Sequence, residues 1–146
     1  MIEPTSSDKT GQDPISNQLA AAGVQPTAQR VEIARVLLDR PRHLSADRIS
    51  AILLERGIRV SKATVYNTLK LLCATGLAKA IIVDPNRVFY DSTTEPHHHF
   101  YNVDSGELTD IPAEQVRFAD LPALPQGTAQ EGVDVIVRVR DNVSAG

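Results

Sequence analysis

The sequence predicts an α+β protein in which helices come first and short strands follow. Apolar residues recur at helical spacing before Gly76, whereas β-branched and alternating segments follow Ala78. The chain has 146 residues and is 42% hydrophobic, which suits one ordinary domain or two small ones. Aromatic residues make up only 4%, so Leu, Ile, Val and Ala are expected to fill the core.

Helix signals divide the first half of the chain. Residues 1–14 are polar, and we expect them to form a disordered arm. The helices that follow lie between N-terminal signals such as Ser or Thr caps and C-terminal Gly or Pro. The predicted helices are Ile15–Ala22 before Gly23, Thr27 to near Arg40 before Pro41, Ser45 to Gly57, and Ser61 to Gly76.

The helix that begins after Ser61 has two distinct faces. Its apolar face consists of Val65, Leu69 and Leu72. Its other face offers what a helix in a DNA major groove needs, namely cations for phosphates and an amide and a phenol for base edges. An ordinary solvated face is the alternative interpretation. The polar residues are Lys62, Tyr66, Asn67 and Lys70.

A hairpin follows these helices. Residues 78–83 and 87–91 form predicted strands around the turn at Asp84-Pro85-Asn86. Helices followed by a two-stranded hairpin predict a winged helix-turn-helix domain over residues 15–92. Arg30, Arg59 and Arg87 are further candidates for contacts to the DNA backbone.

The last part of the chain predicts a small α/β domain over residues 93–146. Its expected elements are strands over 97–101 and 107–111, a short helix over 113–121, and a β-branched strand over 133–139. A unit of this size buries little surface alone. We therefore expect a homodimer, formed by pairing these residues with a second copy.

Charge is distributed unevenly along the chain, although the net charge is only −3. Residues 15–83 contain ten Lys and Arg against four acids, a net +6, and residues 84–146 contain four Arg against eleven acids, a net −7. This asymmetry predicts two modules with different partners, the basic one suited to phosphates. Chance clustering of solvated charge is the alternative.

Cysteine content and the N-terminus favour a cytoplasmic protein. Cys73 is the only cysteine, so neither an intramolecular disulfide nor a four-cysteine structural zinc site fits within one chain. The acidic N-terminal residues do not resemble a signal peptide, and no segment is long and apolar enough to cross a membrane.

Three consecutive histidines form the most unusual motif. In a strand His97 and His99 share one face and His98 points away. A two-residue turn at either 104–105 or 105–106 places Asp110 opposite His99 or Tyr101, on that same face. Two imidazoles and a carboxylate suit Fe²⁺, Mn²⁺ or Zn²⁺. A solvated polar strand is the alternative.

Six segments occur in this order along the chain, namely PTAQRVEIARVL, HLSADRI, SKATVYNTLKLLCATGLA, FYD, HHHFYNVDSGELTDI and VDVIVRVR. Together they resemble the ferric uptake regulator family. The similarity covers residues 19–140 and implies a winged helix, a dimerisation domain and a divalent metal site between them. It also implies that the metal ligands are His43, Asp91, His97, His99 and Asp110.

The sequence also departs from much of that family. Asn102 and Ser105 stand where many members have the first C-x-x-C pair of a structural zinc site, and His98 and Phe100 replace part of the usual HHHDH motif. The pattern is most similar to the iron response regulator branch. That resemblance implies haem as an effector, with His97, His98 and His99 as candidate haem ligands. The Cys-Pro haem motif of some members is absent.

Together these features predict a sequence-specific regulator that binds a double-stranded DNA operator and controls iron and haem genes. We expect Tyr66 and Asn67 to contact bases, and Lys62, Lys70 and Arg30 to contact phosphates. A repressor that binds DNA only when loaded with Fe²⁺ or Mn²⁺ is the alternative within this class. We expect no catalytic residues. A metalloenzyme needs an open coordination position and a positioned base, and five candidate metal ligands leave little room for either. A metal or haem buffer is the third possibility.

Overall fold

The computed structural model describes residues 13–142. The prediction of a disordered arm falls on residues 1–14 and so lies mostly outside the described chain. The chain divides after Thr94 into two compact units. No helix among the described residues is long and apolar enough to span a bilayer. The prediction of an α+β protein is confirmed.

The first unit begins with helix α1 (Pro14–Ala21), one residue earlier than predicted. The Asp13 carboxylate accepts a hydrogen bond from the backbone N–H of Ile15 at 3.0 Å, and Pro14 occupies the first helical position. Asp13 therefore belongs to an N-cap rather than to an arm. The same carboxylate binds the Arg35 guanidinium, with Nη2 to Oδ2 at 2.8 Å, and so fastens α1 to the next helix.

Three longer helices follow, and each starts at a hydroxyl cap. They are α2 (Ala28–Leu38), α3 (Ala46–Glu55) and α4 (Lys62–Ala74). The caps Thr27, Ser45 and Ser61 each accept a hydrogen bond from the backbone N–H three residues later. The predicted caps at Ser45 and Ser61 are confirmed.

The core of the first unit is aliphatic, as the composition predicts. Leu, Ile, Val and Ala side chains from all four helices interlock, while Tyr90 packs only partly buried against them. Truncation of one such leucine to alanine typically costs about 2–5 kcal/mol. The fully buried members of the helices are Leu19, Ile33, Ala34, Val36, Leu37, Ile49, Leu53, Val65, Leu69 and Leu72.

A three-stranded antiparallel sheet completes the first unit. The hairpin of β2 (Lys79–Asp84) and β3 (Arg87–Asp91) matches the predicted wing, with Asp84 Oδ1 accepting from the Asn86 N–H at 2.8 Å in the turn. A strand that the sequence did not predict, β1 (His43–Ser45), pairs with the other edge of β3. Three residues are too few to show strand periodicity.

The second unit is built around β4 (His97–Asn102). This strand pairs antiparallel with β5 (Leu108–Pro112) and parallel with β6 (Ile136–Val139). The predicted strand over 133–139 begins only at Ile136. The reason is that the Val135 N–H donates to the imidazole Nδ1 of His98 at 3.0 Å. The His98 side chain thus accepts from the backbone N–H of Val135, which a longer β6 would use for pairing with β4.

The predicted helix over 113–121 is wrong. A single 3₁₀ turn (Ala113–Gln115) forms, and Val116 returns to an extended conformation with φ −121° and ψ 118°. Phe118 then packs edge-on against His98, with ring centroids 5.8 Å apart. Contact with β4 draws the chain out of helical geometry, so tertiary packing overrides local propensity here.

Asn102 organises the end of β4. Its Oδ1 accepts from the N–H groups of Asp104 and Ser105, at 2.8 and 3.0 Å, and its Nδ2 donates to Asp141 Oδ1 at 2.9 Å. The Asp141 N–H donates in turn to Asp104 Oδ2 at 2.9 Å. Hydrogen bonds thus join the β4–β5 turn to the residues after β6, at the positions where the resemblance places a cysteine pair.

The ion pair between Asp13 and Arg35 predicts a pH-dependent contribution to stability. The hydrogen-bonded Arg35 guanidinium lowers the pKa of Asp13 below its usual range. Stabilisation from a carboxylate with a lowered pKa is present above its unfolded value of about 3.9 and is lost as the pH falls through the lower folded value. Asp13→Asn should therefore unfold more readily than the natural chain at pH 7, and the difference should begin to shrink at about pH 4 and disappear once the pH has fallen through the lower folded pKa of Asp13.

Urea unfolding at a series of pH values measures this difference. Arg35→Gln is the matched variant, because it removes the other half of the pair. In the acid range, the free energy of unfolding of both variants should depend on pH in the same way. A difference between the natural chain and Asp13→Asn that stays constant as the pH falls would contradict the ion pair as its source, because asparagine keeps the N-cap and only the charge is removed.

Candidate metal centre

Strand register brings two histidines and one carboxylate together in the second unit. His97 and His99 lie on one face of β4, with ring centroids 4.6 Å apart. His99 is paired with Asp110 of β5, one of the two registers that the turn allowed. The Asp110 Oδ1 atom lies 3.7 Å from His97 Nε2 and 3.3 Å from His99 Nε2.

These separations suit a single divalent ion. Ligand atoms about 2.0–2.2 Å from one ion stand roughly 3–3.5 Å apart in tetrahedral geometry. One ligand atom from each of His97, His99 and Asp110 lies within 4.8 Å of the others. Both imidazoles are buried, whereas the Asp110 side chain is 54% exposed, so the carboxylate is the part of the cluster that solvent reaches.

The backbone fixes the protonation of one imidazole. Nδ1 of His97 lies 2.7 Å from the carbonyl oxygen of Glu95. A carbonyl only accepts, so we assign the proton to Nδ1, which leaves the Nε2 lone pair directed at the cluster. Metal-binding histidines commonly carry such a bond on their second nitrogen. Sequence reasoning missed this group, because a backbone carbonyl gives no signal in the residue pattern.

His98 has different contacts from its neighbours. Its Nδ1 accepts the Val135 N–H, and its ring packs on Phe118. It is 5% exposed and lies on the opposite face of β4 from His97 and His99. The three histidines that were predicted as haem ligands are therefore divided between two faces, and His98 fastens β6 and its preceding segment to the sheet.

The first unit contains the other two predicted ligands. His43 and Asp91 are partners across β1 and β3, and the imidazole of His43 stands edge-on to Phe89 with centroids 6.3 Å apart. Asp91 is 1% exposed, and its Oδ1 accepts the Thr93 N–H at 2.8 Å. Register thus places a histidine and a buried carboxylate side by side at one end of the wing sheet.

The predicted DNA-contacting residues lie on the first unit. The polar residues of α4 are exposed, with Tyr66 at 50%, and its apolar face is buried. Arg59 is exposed in the loop before α4, and Arg87 is exposed at the wing turn. Arg30 lines a groove with Asn67, together with residues that sequence reasoning missed. The other residues lining the groove are Thr27, Gln29, Thr64, Thr68 and Leu71.

Comparisons with known proteins converge on one family. The profile described as the ferric uptake regulator family matches residues 21–124. The peroxide-responsive repressor PerR of Staphylococcus epidermidis is 31% identical over 93 residues, which are 64% of this chain and 62% of that protein. The match therefore spans less than two thirds of the length of this relative.

Two solved structures have similar folds. A ferric uptake regulator from Pseudomonas aeruginosa with manganese is 27% identical, with a TM-score of 0.65 over 88% of this chain and 98% of that one. A ferric uptake regulator from Francisella tularensis with iron is 21% identical, with a TM-score of 0.64 over 85% and 96% of the two chains.

The division between His97 and His99 on one side and His98 on the other leads to a prediction. His97→Ala with His99→Ala should weaken Mn²⁺ or Zn²⁺ binding by more than about 100-fold, since loss of even an outer-shell partner costs 10–100-fold. His98→Ala is the matched control. It should lower the unfolding temperature, because the Val135 N–H loses its acceptor, but it should retain tight metal binding.

Calorimetric titration of metal-free protein measures the metal affinity, and scanning calorimetry of the same samples measures the unfolding temperature. Equal loss of metal affinity in the His98 variant and in the double variant would contradict this division of the histidines between two faces.

Proposed function

The chain belongs to the ferric uptake regulator family, and on that basis we propose that it is a metal-responsive, sequence-specific transcription regulator that binds operator DNA as a homodimer. The observation that carries the proposal is the pairing of two buried imidazoles with one carboxylate, His97, His99 and Asp110, in a chain that also has an exposed polar recognition face. Such a chain has one site for a cation and another for DNA. We propose no enzymatic activity.

DNA reading is assigned to α4. Tyr66 and Asn67 contact base edges in the major groove, where an amide pairs with adenine and an aromatic edge meets the thymine methyl. The phosphate contacts come from cations that surround this face. These are Lys62 and Lys70 on α4, Arg30 on α2, Arg59 in the preceding loop and Arg87 in the wing. The net +6 of residues 15–83 supports this assignment.

The sensor is proposed to combine five ligands, His43 and Asp91 from the first unit and His97, His99 and Asp110 from the second. Asp91 precedes His97 by only six residues, and His43 is its partner across the sheet. An ion that takes ligands from both units favours one relative orientation of them. In a dimer that orientation sets the spacing of the two recognition helices.

The proposed ion is Fe²⁺, Mn²⁺ or Zn²⁺. A mixed imidazole and carboxylate set suits these borderline ions, and it lacks the thiolates that softer ions prefer. The solved structures of family members with manganese and with iron support the same choice. A four-cysteine structural zinc site is not part of the proposal, because the sequence has one cysteine.

Haem control, and a role in iron and haem genes, remain predictions from the resemblance to the iron response regulator branch. His97, His98 and His99 are 8%, 5% and 3% exposed, so haem needs part of the second unit to open before it can reach an axial imidazole. Burial also raises the pKa of the Cys73 thiol, which disfavours a thiolate ligand. These observations favour metal as the primary effector.

The homodimer is assigned to residues 93–146. Phe100 and Val137 are register partners in the sheet and are 39% and 38% exposed, with Val139 next to them at 37%. Adjacent apolar side chains on a sheet face are typical of a surface that pairs with another chain.

One comparison tests the regulator proposal. Full-length protein in metal-free, Mn²⁺-loaded and haem-treated forms is assayed by gel shift against genomic fragments. We expect metal to tighten binding to a subset of fragments by about 5–150-fold, the usual range of coupling between sites. Equal binding in all three forms would overturn metal control. Release by haem alone would make haem the effector, and binding to no fragment would overturn the regulator.

Recognition by α4 predicts distinct outcomes for its exposed residues. Asn67→Ala should cost about 1–3 kcal/mol of operator binding and relax specificity at one base pair. Tyr66→Ala should behave in the same way, and Tyr66→Phe, which keeps the ring, is its matched control. Lys62→Ala should weaken binding to all sequences and lower the salt slope by about one.

Fluorescence anisotropy at several salt concentrations, with an operator and single-base variants, separates these outcomes. Circular dichroism checks that each variant is folded. Unchanged affinity and specificity in both alanine variants would exclude α4 as the reading helix.

A further inference from the structure

We propose that the groove between the start of α2 and one face of α4, hereafter the anchor groove, binds a single phosphate of the DNA backbone and thereby fixes where α4 sits on the operator. The inference rests on the proposed DNA-binding function and adds a defined site to it. The ligand is a phosphodiester of the operator, and the donors are backbone N–H groups, a guanidinium and hydroxyls.

The anchor groove is polar on both walls. One wall is formed by Thr27, Gln29 and Arg30, at the N-terminus of α2. The other wall is Thr64, Asn67, Thr68 and Leu71, which follow each other at helical spacing on the side of α4 that faces α2. Six of these seven residues are polar and none is acidic, so the groove offers hydrogen bonds to an anion and no repulsion.

The helix terminus contributes unpaired donors. Thr27 Oγ1 accepts the Arg30 N–H at 3.4 Å, and the Val31 N–H bonds to the Thr27 carbonyl. Within residues 13–142 the N–H groups of Ala28 and Gln29 have no such partner. These two groups point out of the positive end of an 11-residue helix, where a phosphate is favoured.

A buried hydroxyl gives independent evidence for a ligand. Thr68 lines the anchor groove and is only 2% exposed, and its side-chain hydroxyl makes no hydrogen bond to any residue within 13–142. Thr75, at the C-terminal end of the same helix, shows the usual arrangement, since its hydroxyl donates to the Leu71 carbonyl at 2.8 Å. Buried polar groups are nearly always paired, so an unpaired hydroxyl in a groove indicates a missing partner. A phosphate oxygen supplies the acceptor.

Arg30 is held beside these donors. Its Nη1 donates to the Gln25 carbonyl at 3.2 Å, which keeps the guanidinium next to the helix terminus and leaves its other N–H groups for the ligand. Arginine in this setting binds phosphate through charge-assisted hydrogen bonds. Asn67 lines the same groove, so a phosphate held there lies next to a residue assigned to base reading. The anchor groove therefore acts as a positioning site.

Phosphate interference with Mn²⁺-loaded full-length protein tests the site. Operator duplexes each carry one uncharged methylphosphonate, scanned through every position. The natural chain should lose about tenfold in affinity when the anchored phosphate is neutralised, the usual cost of a hydrogen bond to a charged group. The Arg30→Gln variant should lose a similar amount of affinity for unmodified DNA, and the dependence of its affinity on salt concentration should fall by about one unit of slope. A methylphosphonate at the anchored position should not weaken its binding further, whereas the other positions should affect it as they affect the natural chain. Arg56→Gln, an exposed arginine outside the groove, is the matched control.

Thr68→Val provides a second test, in which stability and DNA affinity should respond differently. Removing an unpaired buried hydroxyl should leave the unfolding temperature unchanged or raise it, whereas DNA affinity should fall several-fold because the phosphate loses a donor. A purely structural role for Thr68 predicts lower stability with unchanged DNA affinity.

Three results would overturn the proposal that the anchor groove binds a DNA phosphate. One is Arg30→Gln retaining sensitivity at every phosphate that the natural chain senses. Another is Thr68→Val binding DNA as the natural chain does. The third is inorganic phosphate shifting the amide resonances of Ala28 and Gln29 while DNA interference is unaffected by either variant, which would make the ligand free phosphate. If the natural chain binds no fragment specifically, the regulator proposal fails instead.

Discussion

The pairing of β4 with β5 is the constraint on which the second unit depends. A shift of one residue would bring His98 opposite Asp110 and turn His97 and His99 to the other face, because strand side chains alternate. The Asn102 network holds the register. Its carbonyl accepts the Gly106 N–H at 2.7 Å, and its side chain caps the same turn. A turn with no metal ligand thus determines which imidazoles can share an ion.

The two faces of β4 then have different roles. One face carries the proposed metal ligands, and the other makes a structural contact with the segment before β6. On one face, the Glu95 carbonyl orients His97, so the cluster is partly organised for the proposed ion. On the other face, His98 serves as a hydrogen-bond acceptor for Val135 and thereby fixes where β6 begins. Three identical residues in a row have two kinds of role because the strand alternates and because different backbone groups reach each face.

Local signals predicted much of this arrangement. Ser45 and Ser61 as caps, the wing turn, and the pairing of His99 with Asp110 as one of two registers all follow from short-range patterns. Non-local contacts were missed. Strand β1 forms because β3 has a free edge, and residues 113–121 stay extended because Phe118 meets His98. The anchor groove likewise requires α2 and α4 to pack, which neither helix reveals alone.

The charge and hydrogen-bonding groups of each unit are complementary to the ligand proposed for it. In the first, helix-terminal N–H groups, Arg30 and an excess of cations provide donors, which suit an anionic backbone. In the second, imidazole lone pairs and the Asp110 carboxylate provide acceptors, which suit a cation. The acidic balance of residues 84–146 repels DNA phosphates, so attraction is confined to the basic residues. A net charge of −3 is thus compatible with DNA binding, since charge acts on phosphates over about one Debye length rather than as a sum over the chain.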